Sequence, residues 1–158
     1  MVVRIVKILL AALVITGAVF YFFGCVGNRD RVLVIRDSAS GRIYGKWPLN
    51  EAREFAIEFV HSVHQSPVRE TFRAENRMIS PVSVRFASFG AGMLSDLGEG
   101  QKMVQDGSFL VITGFSASFR ELNYIVGTVS DHILFINDEN ISLRELCGRN
   151  AHISIGIK

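Results

Sequence analysis

Apolar and polar residues alternate along most of this chain after residue 30, the period-two pattern of half-buried β-strands. The clearest run is REFAIEFVHSV (53–63), where Phe55, Ile57, Phe59, His61 and Val63 share one face. Shorter runs are RVLVIRD (31–37), IYGKWPL (43–49), VRETFRAE (68–75), VSVRFASF (82–89), SFLVITGF (108–115), ELNYIVG (121–127), HILFIN (132–137) and AHISIGI (151–157). Turn chemistry separates them at SASGR (38–42), QSP (65–67) and DEN (138–140). ISLRELCG (141–148) reads as one helical turn closing at Gly148. The stretch 94–107 mixes glycines with charges of both signs and reads as a loop. The pattern predicts an all-β domain, an antiparallel sandwich or small barrel of about eight strands. It argues against a parallel α/β sheet, because the crossover helices such a sheet requires are missing from the pattern.

The beginning of the chain follows a different rule. From Ile8 to Gly27 there is no charged side chain. Twenty helical residues span ~30 Å, the thickness of a bilayer's hydrocarbon core. The run predicts one N-terminal transmembrane helix over 8–27, with 1–7 as a short cytoplasmic segment and 28–158 as an extracytoplasmic β domain on the cytoplasmic membrane. The other reading is a cleaved secretory signal with Arg4 and Lys7 as its basic start. The apolar run is longer than the ~7–15 residues of a signal core, and Phe20, Tyr21, Phe22 and Phe23 occupy the place where a peptidase takes small residues. Those aromatics also suit a membrane interface. Cys25 follows Phe-Phe-Gly, a poor match to a lipoprotein cleavage site, and reads as an ordinary membrane-face cysteine.

Charge narrows the partners. Of the 17 Lys and Arg, Arg4 and Lys7 precede the apolar run, leaving 15 against 15 Asp and Glu. An outer part with no net charge argues against a nucleic-acid partner. The two cysteines, Cys25 and Cys147, define no disulfide framework.

The candidate chemistry lies in one hairpin. A four-residue loop at 64–67 predicts that Val63 pairs with Val68, and in that register His61 faces Glu70, Phe59 faces Phe72 and Ile57 faces Ala74. Glu58 then meets Arg73 and Ser62 meets Arg69 on the opposite face. A His61–Glu70 pair at the end of the core face has three readings. It is a polar couple that closes the end of the core, a ligand-facing cluster, or a general base oriented by a carboxylate in a hydrolase. Ser62 and His64 face away from His61, which makes a Ser-His dyad geometrically poor. The same parity separates His61 from His64, so the H-x-x-H spacing assigns no metal site, and no cofactor is assigned. SFGAGM (88–93) lacks the lysine of a phosphate loop; it reads as a bulge or tight turn, or as a place where backbone approaches a ligand or partner.

FVHSVHQSPVRETF followed by FASFGAGM resembles a bacterial and archaeal family catalogued as domain of unknown function 1850. His61, Ser62, Val63, Pro67 and Glu70 match its hairpin signature; Phe89, Gly90, Ala91, Gly92 and Met93 match a second, and His132 matches a third. Where the family commonly has proline after the methionine, this chain has Leu94. Genes of the family often sit beside those for TAXI-type TRAP transporters, which import organic solutes. The resemblance implies a small extracytoplasmic accessory of such a transporter and no known reaction. The expectation is a membrane-anchored accessory or binding domain rather than a catalyst, with transporter subunits and a small organic solute as partners. Its contact candidates are His61, Ser62, Pro67, Glu70, Gly90, Gly92, Met93 and His132. A hydrolase using His61 and Glu70, and a purely structural envelope protein, are the alternatives.

Overall fold

A computed structural model describes residues 32–62, 65–87 and 97–158. The segments expected at 1–7 and 8–27, Cys25, His64 and the glycine-rich candidates Gly90, Gly92 and Met93 lie outside the described residues. No helix among the described residues is long and apolar enough to cross a membrane.

In chain order the described elements are β1 (Val32–Asp37), β2 (Ile43–Pro48), β3 (Glu54–Val60), β4 (Pro67–Glu75), β5 (Met78–Phe86), β6 (Lys102–Asp106), β7 (Phe109–Thr113), β8 (Glu121–Ile125), β9 (His132–Ile136), β10 (Glu139–Ser142), the short helix α1 (Leu143–Cys147) and β11 (His152–Ile157). They form two antiparallel sheets, a four-stranded one ordered β2-β1-β11-β8 and a seven-stranded one ordered β10-β9-β3-β4-β5-β7-β6. The all-β, antiparallel expectation holds, with two sheets sharing one core. The expected number of about eight strands is corrected to eleven among the described residues.

Local chemistry explains the tight connections. Asn76 and Arg77 join β4 to β5, and Asn137 and Asp138 join β9 to β10, with positive φ at all four residues. Two left-handed residues make the two-residue turn whose twist matches a hairpin, and Asn and Asp tolerate it best. Pro81 lies inside β5, where the register against β4 shifts just past Thr71. A strand proline has no ladder donor to give, and a bulge is where that is tolerated.

The main core is the seam between the sheets. Leu33, Ile35, Ile153 and Ile155 from the small sheet meet Phe55, Ile57, Phe72, Ile79 and Leu134 from the large one, all buried. Phe55 and Phe72 stack at 5.4 Å between ring centroids. A second cluster of Val68, Phe86 and Ile112 fills the inner face of the large sheet toward β7. α1 is capped at both ends. The Ser142 hydroxyl accepts from the Glu145 N–H, and Gly148, at φ 98°, donates its N–H to the Arg144 carbonyl.

The hairpin register is corrected. β3 and β4 pair Val60 with Pro67, Phe59 with Val68, Ile57 with Glu70 and Phe55 with Phe72. The loop therefore spans six residues, 61–66, and every pairing moves by four positions. An even shift keeps the faces, so the apolar set stays inside and Glu54–Arg73 and Glu58–Arg69 form the ion pairs outside. The cause is the loop itself. The His61 N–H donates to the Ser66 carbonyl and the Gln65 N–H donates to the His61 carbonyl, closing the turn earlier than the alternation suggests.

Candidate functional site

Alternation places Val68, Glu70, Phe72 and Ala74 of β4 on the inner face of the large sheet. One cross-strand row there reads Leu134, Ile57, Glu70, Val84, Ile112. Glu70 is the polar member of an otherwise aliphatic row, in the middle of the sheet. Such a carboxylate requires a partner. The partner comes from the other sheet. In β8, Leu122 and Tyr124 pair with Ile155 and Ile153 and so face inward, and the Tyr124 hydroxyl donates to Glu70 Oε2 at 2.6 Å. Burial pushes the Glu70 carboxyl above its ordinary 4.5, with the tyrosine bond opposing. Burial and the neighbouring carboxylate push the Tyr124 phenol up as well, so it serves as a neutral donor.

Beside this couple opens a cleft of about 410 Å³, lined by Glu70, Phe72, Phe115, Phe119, Leu122 and Tyr124 among others. Just before Phe115, Gly114 is at φ 82°, where a Cβ would stand 2.3 Å from the Gly100 carbonyl oxygen. Only glycine lets the two backbones approach this closely as the chain leaves β7.

His132 also contacts Tyr124. It pairs with Phe59 across β9 and β3 and stacks on it at 5.1 Å, with the edge of Tyr124 at 6.0 Å. Its Nδ1 accepts the Gly127 N–H at 3.2 Å, which fits the neutral ring protonated at Nε2. Burial lowers its pKa, against a smaller upward pull from Asp131. Gly127 is bound to this arrangement, since a Cβ there would lie 2.0 Å from the Ser130 carbonyl oxygen. A second cleft of about 340 Å³ runs between the 61–66 loop and the 126–131 connection, lined by Phe59, His61, Ser62, Val129, Ser130 and His132 among others. The Ser130 hydroxyl donates to the Val60 carbonyl at 3.0 Å, clasping the two loops. Asp131 ties the second loop to α1 by accepting from the Ser142 hydroxyl and the Arg144 N–H.

The structure thus brings Glu70 and His132 close through Tyr124, and His61, Ser62 and His132 to one cleft wall. Pro67 begins β4 at the exposed end of the hairpin. It does not form the expected His61–Glu70 pair: His61 lies beyond the end of β3, and Glu70 is opposite Ile57. The hydrolase reading rests on that cross-strand pairing, which the observed register does not make. The thiol of Cys147 is pushed up to about 11 by burial, an unreactive protonated group at neutral pH. Among the described residues, no three His, Cys, Asp or Glu side chains converge on a common metal position. Sequence reasoning missed Tyr124. Alternation in ELNYIVG puts it inward beside Leu122, but nothing in the sequence says which strand it faces across the core.

A family model described as domain of unknown function (DUF1850) matches residues 55–143, more than half of the chain. The chain belongs to this family. The DUF1850 match takes in Glu70, Tyr124 and His132 together with nearly all of the seven-stranded sheet, while β1, β2 and β11 of the small sheet lie outside it. No curated protein and no solved structure matches the chain.

Proposed function

We propose that this chain is a membrane-anchored extracytoplasmic binding domain, an accessory to a TAXI-type TRAP transporter that holds a small organic solute rather than transforming it. The observation that carries this reading is Glu70 on the inner face, joined to Tyr124 of the opposite sheet and opening on the 410 Å³ cleft. A carboxylate among aliphatic neighbours carries a desolvation cost that an apolar residue of similar size would avoid. Ligand sites have this character, concave and mostly apolar with a few placed polar groups. The anchor reading rests on the uncharged run 8–27. The transporter reading rests on the family's gene neighbourhood.

The contact surface is the end of β3 with His61 and Ser62 after it, clasped to the connection 126–131. Its outer side carries Val60, 38% exposed, and Val129, 91% exposed. The test is a cross-linked pull-down of the tagged full-length protein from its native membranes, alongside a folded Val129→Asp variant. Transporter subunits recovered with the wild type and lost with the variant are the expected result. Recovery of no transporter subunit with the wild type contradicts the accessory reading.

A further inference from the structure

The ligand's charge follows from what surrounds Glu70. Its hydrogen-bond donor is a phenol, which brings no positive charge. Among the described residues no Lys, Arg or His forms an ion pair with it; the ion pairs there use Glu54, Glu58, Asp106, Glu121 and Asp131. The facing neighbours on β3 and β5 are Ile57 and Val84. The nearby imidazole, His132, meets the Tyr124 ring at 6.0 Å between centroids and spends Nδ1 on the Gly127 N–H. The remaining walls of the cleft include Phe72, Phe115 and Phe119, which with Tyr124 make four aromatic side chains around one carboxylate.

From this geometry we infer that the cleft takes a small organic ammonium, an amine with an apolar body, whose charged head meets Glu70 and whose body lies among the four aromatic rings. The inference rests on the solute-site reading above and adds the class of solute. An ammonium supplies a counter-charge that no described residue gives Glu70, and aromatic faces attract cations by their quadrupoles. At about 410 Å³ the cleft is at the small end of ligand sites, suited to a compact amine. Burial holds the Glu70 carboxyl above its ordinary 4.5, and an ammonium beside it opposes that shift by favouring the charged carboxylate.

The test is calorimetric titration of the purified full-length protein, kept in a neutral maltoside detergent, with three probes of nearly one shape: 2-phenylethylamine, 2-phenylethanol and phenylacetate. The amine is expected to bind roughly tenfold or more tighter than the alcohol, the scale of a desolvated cation–π contact together with a charged hydrogen bond. Glu70→Gln is expected to erase that preference while moving the alcohol's affinity by less than about threefold. Should Glu70→Gln lose its native circular dichroism, the amine-to-alcohol ratio in the wild type and in Tyr124→Phe, which keeps the carboxylate, decides the matter. Equal or tighter binding of the alcohol or the acid overturns the ammonium assignment and leaves the solute site standing. Absence of binding by all three probes at about 10 mM, far weaker than a functional site, overturns both.

Discussion

Glu70 and His132 both contact Tyr124 and respond to pH with opposite signs. Burial holds the Glu70 carboxyl above its ordinary 4.5. Between those two values the folded chain binds more protons than the unfolded one, so this group's contribution falls as pH rises through the window. Glu70→Gln is therefore expected to melt higher than the wild type at pH 7, and the gap is expected to close as the pH approaches 4.5. A gap of the same size at every pH would rule out the desolvation account. His132 runs the other way. Its folded pKa lies below the ordinary 6.5, so stability is present above 6.5 and is lost as pH falls from there through the folded value. In His132→Phe the loss of melting temperature on acidification is expected to be shallower than in the wild type, and an unchanged profile would acquit this residue. Tyr124→Phe leaves a buried carboxylate without its donor. Its cost is expected to be about 1–3 kcal/mol at pH 7, read from urea unfolding, and smaller where Glu70 is protonated.

At the scale of elements, the loop from Val126 to Asp131 is the joint between the cleft and the rest of the sheet. Gly127→Ala would force a Cβ onto the Ser130 carbonyl oxygen and disturb the Gly127–His132 bond. It is expected to destabilise by roughly 1–3 kcal/mol, as overpacking does, and an unfolding midpoint within error of the wild type would contradict that. Period-two alternation made the inner faces legible here, because Phe55, Ile57, Phe59, Phe72 and Ile155 are apolar at every second place. Register was less legible. Faces repeat every two residues, so alternation cannot distinguish a shift of four, and the turn hydrogen bonds at 61–66 decided it. β6 escaped notice because it is an edge strand with four of its five residues exposed, which leaves little apolar signal. β10 is a four-residue strand behind the Asn137–Asp138 turn, and DEN, read as turn, contains its first two residues. Only the family resemblance marks His132 in the sequence; its stacking on Phe59 depends on β9 pairing with β3, a contact between strands far apart in the chain.

For the whole molecule, the two sheets enclose a shared apolar core, with a carboxylate in the large sheet held from the edge strand of the small one. That arrangement joins Glu70 to Tyr124 across 54 positions of sequence, so only the assembled domain creates the cleft. The apolar run 8–27 gives a separate expectation: the chain stays with native membranes through an alkaline carbonate wash, and release into the supernatant would contradict the anchor. The proposal that the cleft beside Glu70 and Tyr124 holds a solute is open to direct test. Its most direct test is a thermal-unfolding screen of the full-length protein against small organic amines, alcohols and acids, run beside Leu122→Trp, which fills the cleft from β8. A ligand that binds only the folded state raises its melting temperature by mass action. At least one chemical class is expected to raise the wild type by several degrees and leave Leu122→Trp unmoved. No shift in the wild type with any class, or an equal shift in the filled variant, would contradict a solute site in this cleft.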